Sequence, residues 1–193
     1  MRFLDYVDPA QRFALRELEQ GDLAELESMN KSLFYPYLRH VTGPRNLLDI
    51  AISAQSDEPR ALYFIGITPH GDRQCVIGLL GAGVTDVCAE DPAHLIEVGY
   101  ALLPSFQKRG IARSALQAAL PRLLASQIPE VLATVDPDNL PSTRLLEACG
   151  FERFGPPKPS KYLGDPDNPA HYEAGILQLR PRVSYRIRAD AFR

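Results

Sequence analysis

The sequence predicts a mixed α/β fold, a sheet with helices on its faces, in the order β-α-α-β-β-β-α-β-α-β-β. Three observations predict it. Short apolar runs of strand length, such as Ala61–Ile67 and Glu130–Val135, are bounded by turn residues. Between them lie stretches with apolar residues at helical spacing, such as 110–125 and 140–149. Composition is that of an ordinary globular chain, with 45% apolar and 23% charged residues. The net charge of -3 gives no whole-chain reason to expect nucleic acid as a partner.

The elements follow in order. Phe13–Leu18 reads as a short strand, Glu19–Asp22 as a turn, and Asp22 as the N-cap of a helix carrying Leu23, Leu26 and Met29. Phe34–Tyr37 is an aromatic-rich loop, and Pro44 opens a second helix with Leu47, Leu48, Ile50, Ala51 and Ala54 on it. Ala61–Ile67 and Cys75–Val84 form a hairpin around the turn residues Pro69–Asp72. A polar loop covers 86–93, and Leu95–Leu103 is a strand closed by Pro104. The helix from Gly110 to Ala125 contains Pro121, which is expected to kink it or end it early. Glu130–Val135 is a buried strand, and Leu140–Cys149 a helix with Gly150 at its C′ position. Phe151–Phe154 and Ala174–Leu179 are strands on either side of a long proline-rich loop. One domain over 1–193 is expected, with a core of about 13–180 and a basic C-terminal tail, 181–193, holding Arg182, Arg186, Arg188 and Arg193. Val183, Tyr185 and Ile187 alternate with polar residues there, a pattern for an added edge strand.

No apolar run reaches the roughly 20 residues that span a bilayer. The start Met1–Asp5 lacks the pattern of a signal peptide, so the cytoplasm is the expected location and no membrane partner is foreseen. Cys75, Cys88 and Cys149 read as reduced thiols, and the scattered His40, His70, His94 and His171 form no metal-ligand pattern, so no metal is expected.

Chemistry concentrates in Glu97–Ala112. There a strand runs through a tight turn into a helix, where unpaired backbone N–H groups and the helix dipole together suit an anion such as phosphate. Gly110 lets a ligand approach the backbone closely, while Lys108, Arg109 and Arg113 add positive charge. A glycine that merely shapes a turn, with solvated cations around it, is the plainer reading of such a pattern taken alone.

Gln107-Lys108-Arg109-Gly110-Ile111-Ala112 resembles the acyl-CoA-binding motif of the GNAT superfamily, Gln/Arg-x-x-Gly-x-Gly/Ala. Further on, Asn139-Leu140-Pro141-Ser142, leading a helix that ends in Gly150-Phe151, is similar to the family's second signature. The Asn-x-x-Ser form looks closest to the branch that acetylates ribosomal-protein N-termini. The resemblance covers residues 13–180. It implies a mostly antiparallel central sheet. It also implies that acetyl-CoA is the co-substrate: its pyrophosphate on the backbone of Gln107, Lys108, Arg109, Gly110, Ile111 and Ala112, its pantetheine beside Leu102 and Leu103, and Asn139 and Ser142 close to that arm. Asn139 has an alternative role as helix N-cap, and the two can coexist.

Transfer to an amine requires a base, a donor for the developing oxyanion and a route for the thiolate. Glu97 is the candidate base, since a carboxylate on this strand requires water, a partner or a cleft; a structural salt bridge is its alternative. A backbone N–H at or near Leu102 is the candidate oxyanion donor. Where many family members carry a Tyr acid, this chain has Leu146; Tyr100 and Tyr172 are substitutes to consider, as are His94 and His171 as bases. Phe34–His40 and the loop around Gly155–Pro169 are expected to line the acceptor side. Expected partners are an amine acceptor, either a peptide N-terminus or a small molecule, and a homodimer stays open. A non-catalytic acyl-CoA-binding regulatory module is the alternative function.

Overall fold

In the computed structural model the described residues are 6–29, 48–49, 51–53, 62–84, 95–125, 129–162 and 178–192. Eight strands make one sheet: β1 (Tyr6–Val7), β2 (Phe13–Glu17), β3 (Leu62–Pro69), β4 (Gly78–Val84), β5 (Leu95–Leu102), β6 (Glu130–Val135), β7 (Glu152–Tyr162) and β8 (Gln178–Arg188). Their order across the sheet is β1-β2-β3-β4-β5-β6-β8-β7. Among the described residues only the β5–β6 pair is parallel; all other neighbours are antiparallel. Helices α1 (Leu23–Met29), α2 (Ile111–Ala125) and α3 (Leu140–Ala148) flank the sheet, and residues 48–49 and 51–53 are helical as well.

Strand alternation divides the side chains between two faces. On one face Ile96, Val98, Val131, Ala133, Val183, Tyr185 and Ile187 pack against Ile111, Leu116, Leu120 and Leu146 of α2 and α3. On the other, Leu79 and Ala101 join Leu18, Leu26, Leu48 and Ala51 from α1 and its neighbouring helical segment. Glu97 and Gly99 alternate with Val98 and so lie on this second face.

Four expectations need correction. Pro121 does not end α2 early, since the helix continues to Ala125. A proline inside a helix costs about 3 kcal/mol. Pro121 is exposed, while Leu116, Leu120 and Leu123 on the opposite stripe are at most 1% exposed. Each of those leucines contributes about 1.5–3 kcal/mol by burial, which outweighs the loss.

Pro156, Pro157 and Pro159, expected in a loop, lie within β7. β7 is the sheet's last strand and pairs only with β8, so the missing N–H groups have an outer edge to face. The register shifts between Phe154 and Lys158, and Gly155 there takes a φ of 66°.

The basic tail is not an appendage. Residues 178–188 form one strand that runs through Pro181 and sits between β6 and β7. Val183, Tyr185 and Ile187 are 2–3% exposed. The alternation does mark a strand, but an interior one whose apolar side faces the core.

Asp22 belongs to a short 3₁₀ turn, Gln20–Asp22, ahead of α1. Its carboxylate accepts the Glu19 N–H at 2.7 Å and two bonds from the buried Arg16 guanidinium at 2.6 and 2.7 Å. The short strand β1 at Tyr6–Val7 had no counterpart in the sequence reading.

Candidate active site

The sheet opens where chemistry was expected. β5 pairs with β6 only over Leu95–Glu97, opposite Glu130–Leu132. Beyond Glu97, residues Val98–Leu102 still hold β4 on one edge, while Ala133–Val135 pair with β8 on the far side of β6. The facing edges of β5 and β6 therefore part, and among the described residues the backbone of Val98–Leu102 has no strand neighbour there. The direction of its polar groups follows from one bond. Leu103 donates its N–H to Ile77 O at 2.9 Å, toward the β4 side. Alternation then turns the N–H and C=O of Leu102 and Tyr100 toward the opening. Leu102 O is met there by Gln107 Nε2 at 2.9 Å, which ties the turn to the strand end.

The turn has two left-handed residues, Lys108 at φ 59° and Gly110 at φ 75°. Helix α2 begins at Ile111, and its first ladder bond runs from Ser114 N–H to Gly110 O at 3.0 Å. The N–H groups of Ile111, Ala112 and Arg113 precede that bond and have no carbonyl of an earlier turn to meet. Lys108, Arg109 and Gly110 are exposed, and Arg109 lies over the Phe106 ring at 5.3 Å. Unpaired amides at a helix N-terminus, beside exposed cations, suit a phosphate.

Glu97 stands at the vertex of the opening, and Thr134 of β6 donates its hydroxyl to Glu97 Oε1 at 2.5 Å. Thr134 is itself fixed from behind, since Arg182 Nη2 donates to its carbonyl at 2.7 Å. Tyr100 points to the other face, where its hydroxyl donates to Ser142 O at 3.4 Å, and burial pushes its phenol far above the usual range. That bond spans the opening from β5 to the start of α3.

Asn139 caps α3: its Oδ1 accepts the Ser142 N–H at 3.3 Å. At the other end Gly150, at φ 87°, donates its N–H to Glu147 O. The structure thus brings Leu102 to Gln107 and Tyr100 to Ser142 around one opening. Leu146 is 1% exposed in the core and carries no acid. The loop 34–40 and residues His94, His171, Tyr172 and Cys88 lie outside the described residues. Among the described residues there is no group of three potential metal ligands, and no helix is long and apolar enough to cross a membrane.

Arg12 was missed. Its guanidinium holds the buried Asp8 by two bonds, at 2.7 and 3.0 Å, then reaches Arg109 O at 3.1 Å and Ser114 Oγ at 2.8 Å. A hairpin far away in sequence therefore braces the turn from behind. Only the spacing of an acid and an arginine four residues apart could have hinted at it. Arg12 holds the Asp8 carboxyl below its ordinary value, chiefly through their side-chain hydrogen bond. A depressed carboxyl contributes stability above its unfolded value, about 3.9, and loses it as pH falls through the lower folded value. Arg12→Ala is expected to cost about 1–2 kcal/mol, between exposed and buried pairs, because Arg12 itself is partly exposed. Thermal unfolding at neutral and acidic pH checks this, with the deficit shrinking in acid.

The family model described as the acetyltransferase (GNAT) domain matches residues 12–152. The uncharacterized N-acetyltransferase YnaD of Bacillus subtilis (strain 168) is 33% identical over 63 residues, 32% of this chain. That match spans only 37% of the relative's length. Among solved structures, the ribosomal-protein-S5-alanine acetyltransferase of Vibrio fischeri superposes with a TM-score of 0.73 at 16% identity, covering 98% of this chain and 99% of that one. The spermidine N-acetyltransferase of Vibrio cholerae, in complex with CoA and spermine, gives 0.66 at 16% identity, covering 93% and 96%. These two likenesses concern the fold. The domain match includes the strand, the turn and the second signature, and the chain belongs to the GNAT acetyltransferase family, whose members draw their acyl group from acetyl-CoA.

Proposed function

We propose that this protein is an N-acetyltransferase that moves the acetyl group of acetyl-CoA to a primary amine by direct attack in a ternary complex. The observation that supports it most is continuity: the unpaired edge of β5 runs directly into the anion-binding turn at the start of α2. A ligand with an amide-bearing arm and a pyrophosphate needs those two features in that order. The arm would pair with the edge like an added strand, and the phosphates would meet the amides of Gln107–Ala112. Bound acetyl-CoA supplies a thioester, an acyl group activated toward amines.

The chain's residues have the remaining work. Glu97, at the vertex, takes the proton that an ammonium must lose before it can attack. The N–H of Leu102, or of Tyr100, provides a donor where negative charge grows on the acyl oxygen. Asn139 and Ser142 fix the start of α3 against Tyr100. The acceptor is a protein N-terminus or a small polyamine; the neighbours above are named for a ribosomal-protein alanine and for spermidine.

The test is release of free thiol from acetyl-CoA with an alanine-initiated peptide and with spermidine. Thiol release that depends on the amine, with an N-acetylated product by mass, is the expected result. Tight acetyl-CoA binding with no turnover on any amine would instead indicate a non-catalytic module.

A further inference from the structure

The opening between β5 and β6 has a closed end, and the side chains around that end differ sharply between the two faces. An arm entering from the Leu102 end along the free edge must stop short of Glu97, where Glu97 and Thr134 join the strands. Its reactive end is therefore level with Gly99 and Tyr100. On the α2–α3 face that level is filled: Val98 is 4% exposed, and Tyr100 is packed against the core and bonded to Ser142. On the opposite face, Glu97, Gly99 and Ala101 follow one another along β5. Gly99 pairs with Gly81 and Glu97 with Gly83 across β4, so no side chain comes from these neighbours. Among the described residues, a Cβ built on Gly99 meets nothing within 4 Å, and its φ is not in the left-handed region. Among the described residues, neither backbone conformation nor packing requires a glycine there.

We infer that Gly99 sets the specificity of the transfer: its missing side chain leaves the corridor through which a primary amine passes from the Glu97 carboxylate to the acyl carbon. The inference rests on the acetyl-CoA reading above. It adds that attack comes from the face of Glu97 and that the corridor's width is fixed at position 99.

A test independent of the acceptor uses Gly99→Cys with bromoacetyl-CoA. The thiolate at position 99 would attack the bromomethylene carbon; the C–S bond forms, the C–Br bond breaks, bromide leaves and the thiol proton goes to solvent. Labelling on the order of 100-fold faster than the wild-type background is expected, because the two groups are held together. Excess CoA should suppress it, and peptide mapping should place it at residue 99. The background is low at Cys149, which is buried with its thiol pushed up to about 11, and burial raises Cys75 as well. Gly99→Ala serves as the folding control: it should melt no lower than wild type, bind acetyl-CoA with unchanged affinity and raise KM for a working amine more than it lowers kcat.

Acetyl-CoA bound normally by both variants, with position 99 unlabelled, would overturn the corridor and leave the proposed function standing. Failure of the wild-type protein to bind acetyl-CoA would overturn both. Rapid, CoA-suppressed labelling at position 99 would establish that the acyl end faces Gly99.

Discussion

Gly110→Glu is expected to weaken acetyl-CoA binding by about 100-fold or more, which corresponds to roughly 3 kcal/mol. Two effects combine. Gly110 has a φ of 75°, a conformation that costs an ordinary residue about 1–2 kcal/mol. A Cβ there would stand 3.1 Å from Arg12 Nη1, the group that braces the turn. The added carboxylate would then put negative charge among amides and cations suited to an anion. Gly110→Ala separates the two, because it brings the strain without the charge; about tenfold weakening is expected from it. Isothermal titration calorimetry on both variants measures the difference. An unchanged affinity in Gly110→Glu would mean that the turn is not the phosphate site.

Glu97→Gln is expected to lower kcat by about 10²–10⁴, the usual contribution of a positioned base. Acetyl-CoA affinity should stay close to wild type, since Glu97 lies at the vertex and not in the turn. The amide keeps the shape of the carboxylate, and its oxygen can still accept from Thr134. Removing the base without disturbing the opening should therefore change the pH–rate profile. The pH dependence of kcat/KM, measured for wild type and variant, checks this. An identical profile would assign the proton to another group.

Much of this was legible in the sequence. Helical spacing located α2 and α3, the turn residues at 69–72 located the β3–β4 hairpin, and a glycine after a strand located the turn ahead of α2. These are local signals, carried by periodicity and turn chemistry. The parting of β5 from β6 was not legible. It depends on where a parallel pairing stops, and nothing in Val98–Leu102 marks the loss of a neighbour. The role of β8 failed for the same reason. Its alternation gave the strand, but the pattern for an edge and for an interior position is alike when one face is polar. Proline misled twice, at Pro121 and in β7, because its cost depends on which side of the element faces water. Asp8 and Arg12 lie almost a hundred residues from the turn they support, since Arg12 reaches Arg109 across a separation of 97. No local rule links such positions. Asn139 was read with two roles, and the structure supplies the N-cap directly.

Acetyl-CoA titrated into the wild-type protein, followed by thermal unfolding, tests most directly whether the opened edge and the turn form one cofactor site. With ligand at about 100 times its dissociation constant, stabilisation near 2.7 kcal/mol is expected, a rise of roughly 5–10 °C for a chain of this size. Gly110→Glu should show almost none of that rise at the same concentration. A wild-type melting temperature unmoved by millimolar acetyl-CoA would contradict the assignment of the site.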